Sequence, residues 1–267
     1  MYPLVLNDKD LGVITRKLKR FITASIRSAN AHGAVVALSG GIDSSVVASL
    51  AHDATDTRAL ILPERGVTRT ADIVHAKTIA RAYQLPFVII EIDPLVGCFE
   101  AAARPLPHWR TNHKVSIAEA NLKARIRMVL NYLIANLEHR LVLGTGNRTE
   151  LLTGYFTKYG DGGADVLPIG DLYKTQIFQL ARYLGIPETI ISKVPSAGLW
   201  EGQTDEGELG FSYELLDRIL FQLVNEKKTV GETATLLNIE TSRVQEVCSK
   251  VLGSKHKRHT PPVAAIN

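Results

Sequence analysis

The sequence predicts an α/β fold: a doubly wound parallel sheet with a C-terminal helical appendage. Three observations carry that prediction. Four short apolar runs, AVVAL (34–38), RALIL (58–62), FVIIE (87–91) and RLVLG (140–144), each fit a buried strand. Helical stretches at 44–52, 71–83 and 116–137 alternate with them, as βαβ units and a sheet covered on both faces require. A glycine turn, Leu38-Ser39-Gly40-Gly41-Ile42-Asp43-Ser44-Ser45, directly follows the first strand and opens the next helix.

Ahead of the first strand, Ile14, Leu18, Phe21, Ile22 and Ile26 recur at helical spacing among Arg16, Lys17, Lys19 and Arg20. Asn7 or Asp8 would cap that amphipathic helix. After Gly144 the character changes, and Gly154, Gly160, Gly162, Gly163 and Gly170 make a glycine-rich loop. A helix over 174–184 follows, stopped by Gly185 and Pro187. Segment 194–210, VPSAGLWEGQTDEGELG, is too long and polar for an ordinary connection and reads as a lid. Three helices fit between Ser212 and Leu252. No repeat or composition break divides the chain. It reads as one domain: a core with its N-terminal helix (1–191), a mobile lid (192–211), and a helical C-terminus with a basic tail (212–267).

The chain has 267 residues, 45% hydrophobic and 22% charged, which excludes a disordered class and allows a large core. Its two cysteines, Cys98 and Cys248, form no disulfide framework or paired metal motif, so a reducing cytoplasm is expected. The start, MYPLVLNDKD, lacks the order of a signal peptide, and no apolar run would span a bilayer. The net charge of +4 is localised. Lys250, Lys255, Lys257 and Arg258 lie in KVLGSKHKRH with no acid, and without them 27 basic residues would face 27 acidic ones.

Adjacent glycines let backbone N–H groups converge, Ser39, Ser44 and Ser45 add hydroxyls, and the helix N-terminus adds a positive dipole end. That is a phosphate cradle. It lacks the Lys of a Walker A loop, and Gly144-Thr145-Gly146 fails as a dinucleotide fingerprint because position 149 is Thr. Asp43 beside phosphates would be repulsive unless a magnesium ion lies between them; otherwise it only caps its helix.

SGGxDS after a strand resembles the pyrophosphate loop of the ATP pyrophosphatases. Asn121 to Met128 (NLKARIRM), Gly144 to Glu150 (GTGNRTE), Gly154 to Leu167 (GYFTKYGDGGADVL), Lys174, Pro195 to Glu206 (PSAGLWEGQTDE), and His256-Lys257-Arg258 before Pro261-Pro262 are similar to successive motifs of the ammonia-dependent NAD synthetases. The likeness runs from residue 35 to 262. It implies ATP-dependent amidation of deamido-NAD: ATP adenylates the nicotinate carboxylate, and ammonia then displaces AMP.

Residue by residue, the resemblance implies that Ala37, Leu38, Ser39, Gly40, Gly41, Ile42, Asp43 and Ser44 hold ATP with Thr145, Lys174 and Ser196. Asp43 and Glu150 would bind Mg²⁺. Arg125, Lys158, Asp165, His256 and Lys257 would contact deamido-NAD, with Arg127 and Lys123 as weaker candidates. Arg125 would point outward while a Leu122, Ile126, Val129, Leu133 stripe packs. Lys174 and Asp161 are the catalytic candidates. Asp161 or Asp165 would accept a hydrogen bond from ammonium, or both only stiffen a glycine-rich turn. The resemblance also implies a homodimer acting on small molecules, without nucleic acid or membrane as partner. Leu62 to Val67, where adenine recognition is expected, has no assigned contacts.

Two rivals remain open at this point. Thr229 to Val244 has a helix-turn-helix pattern ahead of a basic tail, but Val244, Val247, Cys248 and Val251 make its second helix a core helix. A tRNA-modifying ATP pyrophosphatase would often need paired cysteines, which this chain lacks.

Overall fold

In the computed structural model, described over residues 3–106, 117–196, 198, 200 and 202–266, one parallel sheet divides the α/β core into two apolar layers. Helix α1 (Asp8–Ser28) begins at Asn7, whose side chain accepts from Asp10 N–H while Asp10 reaches back to Asn7. Strand β1 (Gly33–Ala37) leads into α2 (Ile42–Ala54), β2 (Thr57–Ile61) into α3 (Thr70–Ala82), and β3 (Phe87–Ile89) into α4 (Asp93–Ala103). Helix α5 (Ile117–Leu137) returns the chain to β4 (Arg140–Leu143).

The strands run parallel in the order β3-β2-β1-β4, with Ala34 opposite Thr57 and Gly33 opposite Arg140. A further parallel bridge joins Leu143 to Val166. Because successive strand residues face opposite ways, Ala34 and Val36 pack with Ile22, Val47, Ile79, Ile177 and Leu180 on one side. Val35 packs with Leu60, Val96, Ile126, Leu130 and Val142 on the other. The strand order reverses between β1 and β4. At that switch point the loops after the strand C-termini diverge and leave a crevice.

Past β4 come α6 (Arg148–Thr153), α7 (Lys174–Tyr183), α8 (Glu188–Ile191), α9 (Asp205–Leu209), α10 (Tyr213–Leu220), α11 (Val230–Leu237) and α12 (Thr241–Gly253). The last three are the expected C-terminal helices, and they share a second core with Tyr173, Phe211, Leu216, Ile219, Val244 and Val247. Cys248 and Val251 are only half-buried.

Two expectations need correction, and one helix was missed. FVIIE was expected as a buried strand, but β3 is an edge strand of three residues with Val88 38% and Ile89 40% exposed. The α5 stripe does not pack as a unit: Ile126 is buried and Leu122 half-buried, while Val129 is 57% and Leu133 51% exposed. The packed face instead runs through Lys123, Ile126 and Leu130, because the spacing of 3 and 4 tracks one helix face. Helix α4 was not anticipated, although Pro94 in its first turn is a helix-start signal. Trp109, His108 and His113 lie outside the described residues, as do 197, 199 and 201 of the expected lid.

Candidate active site

The glycine turn after β1 is built by its own serines. Ser39 Oγ accepts from Gly41 N–H at 3.2 Å, and Ser44 Oγ lies 3.1 Å from Ser39 Oγ. Ser44 and Ser45 both donate to the Gly41 carbonyl, at 3.0 and 2.8 Å. Gly40 sits at φ +77°, and a Cβ there would stand 2.2 Å from the Asp72 carbonyl of α3. Only glycine fits so tightly in that backbone region. Helix α2 starts at Gly41 with no side-chain cap. Its first-turn N–H groups could therefore hold an anion at the positive end of the helix.

Across the switch point, Asn147 caps α6 by accepting from Glu150 N–H at 3.0 Å, while Glu150 accepts from Asn147 N–H at 3.1 Å. Asn147 also donates from Nδ2 to Asp43 at 3.0 Å, tying the loop after β4 to that after β1. Lys174, first residue of α7, reaches the same point. Its Nζ lies 2.5 Å from Asp43 Oδ2 and 3.7 Å from Glu150 Oε1, with a side chain only 3% exposed. Asp217 fixes the base of this arrangement, accepting from Thr149 Oγ at 2.5 Å and Thr175 N–H at 2.8 Å. Thr149 Oγ in turn accepts from Lys174 N–H at 2.9 Å.

The electrostatics follow from this packing. Burial, together with the Asp43 charge, pushes Glu150 up to about 8, against the pull of Lys174. For Lys174 burial works against the charge, but Asp43 and Glu150 more than offset it and hold the amine above its ordinary value. Burial likewise lifts Asp217 to about 6 against its hydrogen bonds from Thr149 and Thr175. Among the described residues no three His, Cys, Asp or Glu groups stand together as a metal cage. Asp43 and Glu150 are nonetheless two hard carboxylates converging beside an anion site. That donor set fits magnesium, which takes one or two carboxylates and completes its shell with phosphates and water.

A second cluster forms around the glycine-rich loop. Arg125 is exposed, and its guanidinium donates to the Lys158 carbonyl at 3.3 Å. Lys158 Nζ donates to the His256 carbonyl at 2.8 Å, and the His256 ring holds the Gly253 carbonyl at 3.1 Å. Asp161 accepts from Thr157 N–H at 2.8 Å. Asp165 accepts from Tyr132 OH at 3.0 Å and Val142 N–H at 2.8 Å, so it closes the end of β4.

Lys257 donates to the carbonyls of Gly154 and Phe156 at 2.7 and 2.8 Å. Arg258 donates to those of Leu151 and Leu152 at 2.9 and 2.7 Å. Ser254 lies against Gly154, where a Cβ would meet the serine Cβ at 2.2 Å. The basic tail thus caps the C-terminal end of α6, opposite the end that carries Glu150.

The structure therefore brings Asp43, Glu150 and Lys174 to one point and groups Arg125, Lys158, His256 and Lys257 at another. Thr145 lies two residues past the end of β4, and Ser196 is half-buried and accepts from Gly198 N–H at 3.1 Å. Sequence reasoning missed Asn147, Asp217 and Tyr213, whose ring lies 5.2 Å from Lys174 Nζ and whose hydroxyl donates to Asp205 at 2.9 Å. Asn147 had a readable signal, the N-x-x-E capping pattern, whereas Asp217 and Tyr213 look like ordinary residues of an amphipathic helix.

The NAD synthase family model matches residues 14–261. The NH(3)-dependent NAD(+) synthetase of Archaeoglobus fulgidus is 47% identical over 256 residues, covering 95% of this chain and 96% of that one. The enzyme of the same name from Sulfolobus acidocaldarius is 43% identical, over 94% and 88%. Among solved structures, an NMN synthetase from Francisella tularensis is 34% identical with a TM-score of 0.83, over 97% of this chain and 99% of that one. An NH3-dependent NAD synthetase from Campylobacter jejuni is 31% identical with a TM-score of 0.79, over 96% and 100%. On the match over residues 14–261 and the identity to these relatives, the chain belongs to the NAD synthase family.

Proposed function

We propose that this protein makes NAD by joining ammonia to the nicotinate carboxyl of deamido-NAD. ATP adenylates that carboxyl with release of pyrophosphate, and ammonia then displaces AMP. The observation that carries the reading is the meeting of Lys174 with Asp43 and Glu150 at the mouth of an uncapped, glycine-turned helix N-terminus. Transfer of an adenylyl group builds charge on phosphate oxygens, and fixed N–H dipoles with a charged amine stabilise it without reorganisation.

Each residue then has a task. Ala37 to Ser44 hold ATP phosphates through backbone N–H groups and hydroxyls, with Thr145 and Ser196 at the rim. Lys174 keeps its charge because two acids surround it, and it sets the phosphate that will leave. Asp43 and Glu150 would hold Mg²⁺ against the phosphates, where the ion supplies further charge neutralisation. Arg125, Lys158, Asp165 and His256 face deamido-NAD around the glycine-rich loop, and Asp161 beside them accepts the hydrogen bond from ammonium. Segment 192–211 acts as a lid, and Pro195 O already meets Asp205 N–H at 3.1 Å across its two ends. Helix α5 leaves Val129, Leu133 and Leu137 on an exposed stripe, 57%, 51% and 73% accessible, which suits the partner subunit of a homodimer. No described helix is long and apolar enough to cross a membrane. An exposed, unpaired Cys98 suits the reducing cytoplasm.

The test incubates purified protein with ATP, magnesium and ammonium, and either deamido-NAD or nicotinic acid mononucleotide. The expected result is NAD and AMP in equal amounts with the dinucleotide. Amide formed only from the mononucleotide would move the protein to the activity for which the Francisella tularensis relative is named.

A further inference from the structure

Two residues of the C-terminal appendage grip the site from outside it. Asp217 of α10 is fully buried. One of its carboxylate oxygens accepts from Thr149 Oγ at 2.5 Å, and the other accepts from Thr175 N–H at 2.8 Å. Thr149 Oγ also accepts from Lys174 N–H at 2.9 Å, so one carboxylate holds both leading residues of α7. Thr149 stands just before Glu150 in α6, and Thr175 just after Lys174. The gripped residues are therefore direct neighbours of the pair whose side chains meet at 3.7 Å.

A second grip repeats the pattern at the residues just before. Helix α10 continues into a π-helical turn, Phe221–Asn225. Asn225 Oδ1 accepts from Arg148 Nη2 at 3.0 Å and from Tyr173 OH at 2.9 Å. The Arg148 guanidinium lies 5.2 Å from the centre of the Tyr173 ring, and Arg148 N–H donates to Leu172 O at 2.8 Å. Asp217 and Asn225 are eight positions apart. An α turn takes about 3.6 residues and a π turn about one more, so Asn225 comes back to the face that carries Asp217. Both acceptors then meet the α6–α7 junction: Asn225 takes Arg148 and Tyr173, and Asp217 takes Thr149 and Thr175.

We infer that Asp217, with Asn225 beside it, is a positioning residue that fixes α6 against α7, so that Glu150 and Lys174 meet the ATP phosphates in register with Asp43. The inference goes beyond the amidation reading and rests on its assignment of that cluster to ATP. Being fully buried, Asp217 acts only through the helices it holds. Lys174 is the first residue of α7, where a helix is held by its end contacts and not by its own ladder. A displacement of about 1 Å at a reacting group costs up to about 10²-fold in rate. Arg125, Lys158 and His256 are joined by bonds of their own around the glycine-rich loop. Loosening the α6–α7 junction should therefore fall on ATP and spare deamido-NAD.

The experiment uses the full chain as wild type, Thr149→Val, Thr149→Ser and Asp217→Asn, each well below its own Tm. Valine keeps the shape of threonine and removes the hydroxyl that joins Asp217 to Lys174 N–H; serine keeps that hydroxyl. Steady-state kinetics gives kcat/KM for ATP and KM for deamido-NAD, and calorimetry gives Kd for ATP with magnesium. Thr149→Val should lower kcat/KM for ATP about tenfold and raise Kd for ATP about threefold, with KM for deamido-NAD within about twofold. Thr149→Ser should stay within about twofold throughout. Asp217→Asn loses one of two acceptor oxygens and should show the same split at about threefold, so it carries the test if Thr149→Val does not fold. A lowered Tm with both ATP quantities within about twofold, or an equal loss on both substrates, overturns the inference. A wild-type protein that neither binds ATP nor releases pyrophosphate overturns the assignment of the cluster to ATP instead.

Discussion

Lys174 and Lys257 both draw their ammonium groups into the protein, and they are held by opposite chemistry. Lys174 is enclosed by carboxylates, which raise its affinity for the proton despite burial. Lys257 is half-buried among carbonyls and beside the Phe156 ring, and burial lowers its affinity for the proton, with Asp161 as the opposing charge. Acids that hold a cation leave it able to rearrange toward an arriving anion, because a phosphate or a metal ion can take over their partners. Carbonyls at a helix end offer no such exchange, and a cation among them completes the helix dipole. The sign of the charge is the same at both places; the neighbours decide whether it is chemistry or scaffold.

The sharpest test of the acid-enclosed lysine is its removal. Lys174→Met should lower kcat/KM for ATP by about 10³-fold, the cost of losing a buried transition-state cation, as measured by steady-state pyrophosphate release. A loss below tenfold would place Lys174 with Lys257 as scaffold.

The next largest effect concerns Glu150. A carboxyl held at about 8 is protonated in the metal-free protein at neutral pH, and a metal ion must displace that proton. The half-saturating magnesium concentration should therefore fall about tenfold per pH unit from pH 6 toward 8, then level off. Glu150→Gln should raise it about 100-fold and abolish the slope, because the ligand and the proton are removed together. Stability has a matching sign. A folded-state pKa above the ordinary 4.5 favours the folded protein at low pH, and that contribution is lost as pH rises through about 8. Tm of the metal-free protein should fall across that window and recover on adding magnesium.

How much of this was readable in the sequence depends on distance along the chain. The phosphate turn is local: strand, Ser39-Gly40-Gly41 and helix are adjacent, so the cradle follows from order alone. Glu150 was named by the likeness to a family, and its position after β4 supported it, because parallel sheets bind at strand C-termini. Lys174 meets Asp43 across 131 positions, and nothing in spacing announces that; only the likeness to a family pointed to it. Asp217 and Tyr213 were invisible for the same reason, since their partners are contributed by α6, α7 and α9. The α5 stripe failed differently. Its apolar residues were read correctly, but periodicity cannot say which of them pack and which stay exposed.

The scaffold half of the comparison is tested first at Arg258. Its guanidinium donates to the carbonyls of Leu151, Leu152 and Val251 and to Ser254 Oγ. Arg258→Ala removes those four hydrogen bonds, leaving Ser254 Oγ as a donor to the Leu152 and Val251 carbonyls, and should destabilise by about 2 kcal/mol, or about 4–8 °C in Tm for a chain of this size. At 25 °C kcat should stay within about threefold of wild type, as a thermal melt and a parallel assay would record.

Lys257 gives the smallest effect and the finest discrimination. The family likeness sets it against deamido-NAD, whereas its ammonium is engaged by Gly154 and Phe156 carbonyls within its own chain. Lys257→Met keeps the aliphatic stem against Phe156 and removes only the donor, so it isolates the charge from the packing. If the lysine supports the loop from behind, stability should fall by about 1 kcal/mol, and KM for deamido-NAD should move less than about twofold. A tenfold rise in that KM at unchanged Tm would mean that the ammonium leaves its carbonyls for the substrate. The two lysines would then share an exchangeable design, and the contrast drawn between acids and carbonyls would fail at the position where it is most exposed to measurement.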